Sequence, residues 1–287
     1  MAAASGQPED LYARVRSSID VERMSRLHVL GIGGCFDLIA GHVRCGVGRV
    51  TLVDFDRVGR LNSTRQDFDI GDSGQLKVDV HAERLKRINP SVTARAIARN
   101  VCDLSDSEVD ELLRGVDEII VAVDDFEAVR WANRHATARG IAILFVHLYI
   151  GGRAGEIIYW VPGVTRACYR EIASKRFEYF DSGVPTTTSS DGGTIFDLRM
   201  VDAVAGQIAL GILNRGAPNR YGRLIDDLGD RNFLQVKIDP AWKLGGTRDV
   251  FREHLGDGPG NFSFTTIALP MTPDPECPDC GHRWNRH

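Results

Sequence analysis

Gly31-Ile-Gly-Gly34 lies between a short apolar run, Leu27-His-Val-Leu30, and a segment with apolar residues at helical spacing, Phe36, Ile39, Ala40 and Val43. A glycine turn between a strand and a helix can hold phosphate. Glycine lets the backbone approach the oxygens, and the helix N-terminus offers N–H donors and partial positive charge. Asp54 follows about 20 residues later at a strand end, where a carboxylate suits ribose hydroxyls. These residues point to a nucleotide without choosing between NAD and ATP. A tight turn with no ligand has the same form, and the last glycine of a G-x-G-x-x-G pattern would fall at Phe36. The other chemical pattern is Cys277-Pro-Asp-Cys280, which has metal-ligand spacing.

The elements that must position these groups alternate. Residues 12–26 carry a sparse apolar stripe and are expected to form a short helix behind a loose tail, 1–11. Leu27–Leu30 reads as a buried strand and 36–45 as a helix that stops at Gly46-Val-Gly48. Arg49–Val53 is a second strand. The pattern predicts helices over Lys77–Ile88, Ser105–Leu113 and Ala128–Arg139. It predicts strands over Val92–Ile97, Glu118–Val123 and Ile141–Val146. Asn89-Pro90 is a sensible helix stop. Strands alternating with helices argue for a doubly wound, Rossmann-like, mostly parallel α/β sheet. Beyond residue 147 the character changes. Glu156–Trp160 is expected to be a strand, Pro185–Gly193 a polar loop and Met200–Leu213 a helix, followed by mixed short strands and the cysteine pair.

Composition bounds the function. Of 287 residues, 43% are hydrophobic and 26% charged, the balance of a globular chain rather than a disordered or collagen-like one. With 35 Lys+Arg against 39 Asp+Glu the net charge is −4, which does not favour a nucleic-acid partner. The longest apolar run, Ile141–Ile150, is interrupted by His147 and is far short of the ~20 residues of a membrane helix. The first ten residues lack the basic start and apolar core of a signal peptide. A cytoplasmic setting is therefore expected, with free cysteines rather than disulfides. Cys35, Cys45 and Cys102 are expected to pack as small hydrophobes.

The segment after the second strand is more specific. Gly46-Val-Gly48 leads through Leu52-Val-Asp-Phe-Asp-Arg-Val58 to Asn62-Ser-Thr-Arg-Gln66, and then to Gly71, Lys77 and Asn89-Pro90. Downstream come Val121-Ala-Val-Asp-Asp-Phe-Glu127, Gly163–Arg170 and Cys277–Gly281. In order and close to family spacing, these motifs resemble the ubiquitin-activating-enzyme-like adenylating domain of the ThiF/MoeB/HesA group, across roughly residues 12–281.

That resemblance implies ATP-dependent adenylation of the C-terminal carboxylate of a small ubiquitin-like or sulfur-carrier protein, with release of pyrophosphate. It places Gly33 and Gly34 under the phosphates and Asp54 at the ribose hydroxyls, with Gly31 and Asp56 also among the cofactor-binding residues. Asn62, Arg65 and Lys77 would surround the phosphates, with Gln66 also among the cofactor-binding residues. Arg65 offers a planar fork and Lys77 a point charge, complementary ways to hold a triphosphate. Asp124 would hold Mg²⁺, with Asp125 beside it as the alternative. Arg65, Lys77 and Asp124 would carry catalysis. Arg14 or Arg16 would reach the γ-phosphate of a second subunit, which implies a homodimer. Residues 1–26 would then be a dimer arm, 27–146 the nucleotide-binding core, and 147–287 a carrier-binding extension with a crossover loop and a cysteine-rich end.

The chain departs from the family in three ways. Cys35 and Phe36 stand where a third glycine is usual. Cys168 lacks a thiol mate, having Glu171 at that place. Structural zinc would then rest on Cys168, Cys277 and Cys280 with Glu171, His282 or His287, or the tail is metal-free. The crossover stretch Ser182–Thr194 has no cysteine, so adenylation without a thioester on this chain is expected, with Thr186, Thr187, Thr188 and Ser189 in a loop over the substrate tail. The altered loop also suits a non-catalytic partner subunit of an activating enzyme. A peptide substrate, or a nicotinamide dehydrogenase on the same fold, are the other readings.

Overall fold

The computed structural model describes residues 11–183, 191–256 and 263–281. Its centre is one eight-stranded sheet in the order β3-β2-β1-β4-β5-β6-β7-β8. The chain enters through turns over 11–18 and a single helical turn, α1 (Val21–Met24), whose N-terminus is capped by the Asp20 carboxylate. The helix expected over 12–26 is thus reduced to that turn. The apolar residues ahead of it, Tyr12, Val15 and Ile19, pack as a small cluster with Tyr221 without needing helical periodicity.

The parallel half follows. β1 (His28–Gly33), α2 (Phe36–Arg44), β2 (Arg49–Val53), α3 (Lys77–Ile88), β3 (Thr93–Ile97), α4 (Asp106–Leu113), β4 (Glu118–Ala122), α5 (Phe126–Arg139) and β5 (Ala142–Leu148) alternate as the pattern predicts. Strands β3, β2, β1, β4 and β5 are all parallel. The apolar stripe of α2 (Phe36, Ile39, Val43) and that of α3 (Val78, Leu85) bury against one face of the sheet. Val109 and Leu112 of α4, with Val129 and Ala132 of α5, bury against the other. Both faces are covered, which is why the strands read as continuous apolar runs.

From β5 onward the strands turn antiparallel. β6 (Ala154–Trp160) pairs β5, and after α6 (Tyr169–Ile172), α7 (Ser174–Asp181), α8 (Ile195–Asn214) and α9 (Leu224–Leu228), β7 (Phe233–Lys237) pairs β6. α10 (Val250–Leu255) then leads to β8 (Thr265–Leu269), which closes the edge. The mixed strands of the C-terminal half therefore continue the same sheet. α8 starts five residues ahead of the helix expected at Met200, because Thr194 and Asp197 form a reciprocal capping box. No helix among the described residues is long and apolar enough to cross a membrane.

The order 3-2-1-4-5 places a reversal of winding between β1 and β4. Ligands of open α/β sheets bind beyond the carboxyl ends of the strands at such a point.

Candidate functional site

A cleft of about 1070 Å³, counted to its open mouth, lies at that point. Gly33 and Gly34 form its floor. Gly33 has φ +77°, and a Cβ there would stand 2.2 Å from Val123 Cγ1 and 2.6 Å from the Ala122 oxygen. The loop is pinned to β4 by the Gly34 N–H, which donates to the Ala122 carbonyl at 2.7 Å. Only a glycine fits such an approach. Gly31 lies one strand position too early to line the cleft. It pairs with Leu52 and Ile120 inside the sheet, and its missing side chain makes room for Cys35 and Ile39.

The unusual Cys35-Phe36 pair is absorbed by the core. Cys35 is buried under the loop, and desolvation pushes its thiol far above the usual range. Phe36 turns away from the cleft and stacks on His81 at 3.9 Å, with Phe68 edge-on. The phosphate loop is therefore not filled by the phenyl ring.

Across the end of β2, Asp54 is buried and its carboxylate accepts from the Asp56 N–H at 2.8 Å. Burial raises its pKa, with the Asp56 amide and Lys77 pulling the other way. Lys77, the first residue of α3, is buried with its Nζ 2.7 Å from Asp56 Oδ2. Arg65 and Gln66 enter from the loop between β2 and α3, and both line the cleft. Gln66 Oε1 is buried without a hydrogen-bond partner, which marks a polar atom that a ligand could satisfy. Asn62 does not line the cleft. Its Oδ1 accepts from the Gly59 N–H at 2.7 Å and shapes the 3₁₀ turn that delivers Arg65.

Beyond β4 the two acidic residues divide. Asp125 caps α5, accepting from the Glu127 N–H at 2.9 Å. Asp124 keeps its carboxylate for the cleft. Burial raises its pKa, and His147, Arg65 and Lys77 oppose that. Both line the cleft, and Asp124, not engaged in the helix cap, could hold a divalent cation there. Arg14 and Arg16 are exposed on the N-terminal segment and do not line this chain's own cleft.

Three polar lining residues were not anticipated: Arg99 and Asn100 after β3, and His147 on β5. The signal for His147 was the single polar interruption of the apolar run around it. Cys102, expected to pack, is instead exposed on the short turn next to the cleft. Partial desolvation of the thiol and the acids Asp125, Glu127 and Asp103 push it up to about 11, which disfavours the nucleophilic thiolate.

The second cluster lies on the α5 side of the sheet. Ligand atoms of Cys168, Glu171, Cys277 and Cys280 all fall within 4.8 Å of one another. Cys168 and Cys277 Sγ are 3.7 Å apart, and Glu171 Oε2 is 3.4 Å from Cys280 Sγ. Hydrogen bonds from Cys168 and Cys280 hold the Cys277 thiol well below its ordinary pKa. Three sulfurs and a carboxylate oxygen in that space suit a tetrahedral soft cation. Asn133 Nδ2 donates to Cys168 Sγ and to Asp279 at 2.8 Å, fixing the cluster to α5. Thr186–Ser189 of the crossover loop, and His282 and His287, lie outside the described residues.

Comparison with known proteins agrees with this fold. Residues 18–215 match the ThiF family. Ubiquitin-like modifier-activating enzyme 5 of Oryza sativa subsp. japonica is 29% identical over 171 residues, 56% of this chain and 39% of that protein. The tRNA threonylcarbamoyladenosine dehydratase of Haemophilus influenzae is 35% identical over 136 residues, 47% of this chain and 50% of that one. The matches thus span half or less of these relatives. Among solved structures, E. coli MccB with ATP superposes with a TM-score of 0.65 at 16% identity, over 96% of this chain and 75% of that one.

Proposed function

The chain belongs to the ThiF family, and from that premise we propose that it activates a carboxylate with Mg·ATP, as an adenylyltransferase for the C-terminus of a small ubiquitin-like or sulfur-carrier protein or of a peptide. The observation that carries this reading is the convergence of Gly33, Gly34, Asp54, Arg65, Lys77 and Asp124 around one cleft at the topological switch point.

The chemistry follows from those groups. A carboxylate oxygen of the substrate attacks the α-phosphorus, the bond to the bridging oxygen breaks, and pyrophosphate leaves with that electron pair. No proton need move. Asp54 would orient the ribose, and the glycine turn at the start of α2 would receive phosphate oxygens. Arg65 and Lys77 would offset charge building on the phosphates, and Lys77 is held by Asp56 before the ligand arrives. Asp124 would hold Mg²⁺, which neutralises phosphate charge when bound. Gln66 Oε1 is free to accept from the nucleotide or its water.

Cys168, Glu171, Cys277 and Cys280 would hold a structural zinc. With no cysteine in Ser182–Thr194 and Cys102 kept protonated, the activated acyl group would leave this chain as the adenylate rather than as a thioester. Arg14 or Arg16 would serve a second copy in a homodimer, and a cytoplasmic setting fits such a chemistry. A scaffold partner would have no chemical need for the Asp124 geometry or for a phosphate loop kept clear of Phe36, which favours the enzyme.

The test is ATP–pyrophosphate exchange with small carrier proteins and with peptides ending in a free carboxylate or an amide. Exchange that needs the free carboxylate and is lost in Lys77→Ala supports the reading. ATP turnover that ignores the carboxylate contradicts it.

A further inference from the structure

The ends of four adjacent strands carry the cleft groups in a line. Asp54 follows β2, Gly33 and Gly34 end β1, Asp124 follows β4, and His147 sits on β5. Neighbouring strands are ~4.8 Å apart. With ribose at the β2 end and phosphate over β1 and β4, the β5 end is left for the second reactant. That reactant is an anion approaching another anion, so it needs a positive or donating group of its own.

His147 is held for such a purpose. Its cross-strand neighbour on β6 is Glu156, and Nδ1 lies 3.4 Å from Glu156 Oε1. Glu156 is 1% exposed, a place where a carboxylate persists only with partners. It has them. Arg176 of α7 grips both oxygens, and the Tyr149 hydroxyl donates to Oε2 at 2.5 Å. Arg176 is itself tied to the Tyr169 hydroxyl at 2.9 Å. His147 Nδ1 is shut away from solvent beside this network, so the opposite edge of the ring is the one that meets the cleft. An N–H at Nδ1 would face Glu156 Oε1, and an N–H at Nε2 would be left to donate to a carboxylate on the cleft side.

We propose that His147 receives the carboxylate that is to be activated, and that Glu156 and Arg176 are positioning residues that hold its ring toward the cleft. This rests on the adenylation reading above.

The experiment follows the His147 ring by NMR in wild-type protein holding a non-cleavable Mg·ATP analogue. The ring signals are identified by their absence in His147→Gln. N-acetylglycine is titrated as the carboxylate probe and N-acetylglycinamide as its control. Calorimetry of the analogue comes first: if it does not bind, the adenylation reading fails and this proposal falls with it. Given binding, a saturable movement of the His147 signals with the carboxylate is expected, with the amide at least fivefold weaker. Glu156→Gln is expected to weaken the carboxylate response at least threefold while the analogue's Kd stays within twofold. His147 signals that stay still, or that move equally with the amide, overturn the proposal. So does a His147→Gln variant that binds the carboxylate as the wild type does. Because the wild-type titration stands alone, a variant that misfolds leaves the outcome decidable.

Discussion

Lys77 Nζ lies 2.7 Å from Asp56 Oδ2, so the cation that opens α3 is held at the cleft by a carboxylate from just past β2. Asp56 has half its side chain in solvent, whereas Lys77 is nearly enclosed. The pair therefore fixes where the ammonium points more than it stabilises the fold. Lys77→Ala is expected to weaken Mg·ATP at least tenfold, about 1.4 kcal/mol, with little change in melting temperature. Asp56→Asn keeps the cation but loosens the hold on where it points, and is expected to cost less than fivefold. Calorimetric titration of both variants checks this.

The two floor glycines separate stability from binding. Gly33→Ala puts a methyl into Val123 and the Ala122 carbonyl at a positive φ, and is expected to lose about 2 kcal/mol or more in urea denaturation. A Cβ at Gly34 meets only Gln66 Nε2 at 3.3 Å and the Ala122 oxygen at 3.5 Å. Gly34→Ala is expected to cost under about 1 kcal/mol of stability and to weaken nucleotide binding clearly.

Glu171 does two jobs that a thiol cannot share. Its oxygens accept from the Cys168 N–H at 2.5 Å and the Asp274 N–H at 2.6 Å, clasping the C-terminal knuckle without metal. Glu171→Cys is expected to bind zinc more tightly and release it more slowly to a chelator. The same variant, stripped of metal, is expected to lose roughly 1 kcal/mol, because the part-buried Cys168 N–H and the exposed Asp274 N–H lose their acceptor. Zinc content by mass spectrometry and melts with and without chelator test both halves.

Between α2 and α8, burial and the nearby Asp37 push the Asp202 carboxyl up to about 7. A carboxyl whose folded pKa is raised binds its proton more tightly folded than unfolded. Its contribution is full below the unfolded value of about 3.9 and is lost as pH rises through about 7. Asp202→Asn is therefore expected to melt near the wild type at pH 4 and above it at pH 8. A gain that is equal at both pH values would show that the effect is not ionisation.

Much of this was legible in residues close together in the chain. Leu27 to Val53 announces strand, glycine turn, helix and strand because each apolar run ends at a glycine or an acid. The Asn62–Lys77 motif announces the loop that delivers Arg65. What was not legible depends on distant pairing. Glu156 and Arg176 are 20 residues apart and meet only because α7 returns over β6. His147 showed only as an interruption. Gly31 looked like part of the turn because the sheet, not the local sequence, decides that β1 runs to Gly33. The tail's short strands gave no sign that β7 and β8 extend the first sheet, since antiparallel register is set by β6.

The most direct measurement is thermal stability with Mg·ATP, with ATP plus chelator and with NAD, on wild type and Lys77→Ala. At 100-fold above its Kd, a ligand of the folded state adds about 2.7 kcal/mol. The expected result is a stabilisation by Mg·ATP that needs the metal, weakens in Lys77→Ala and is absent with NAD. No stabilisation by any nucleotide, or an equal one with NAD, would contradict the assignment of the cleft to ATP.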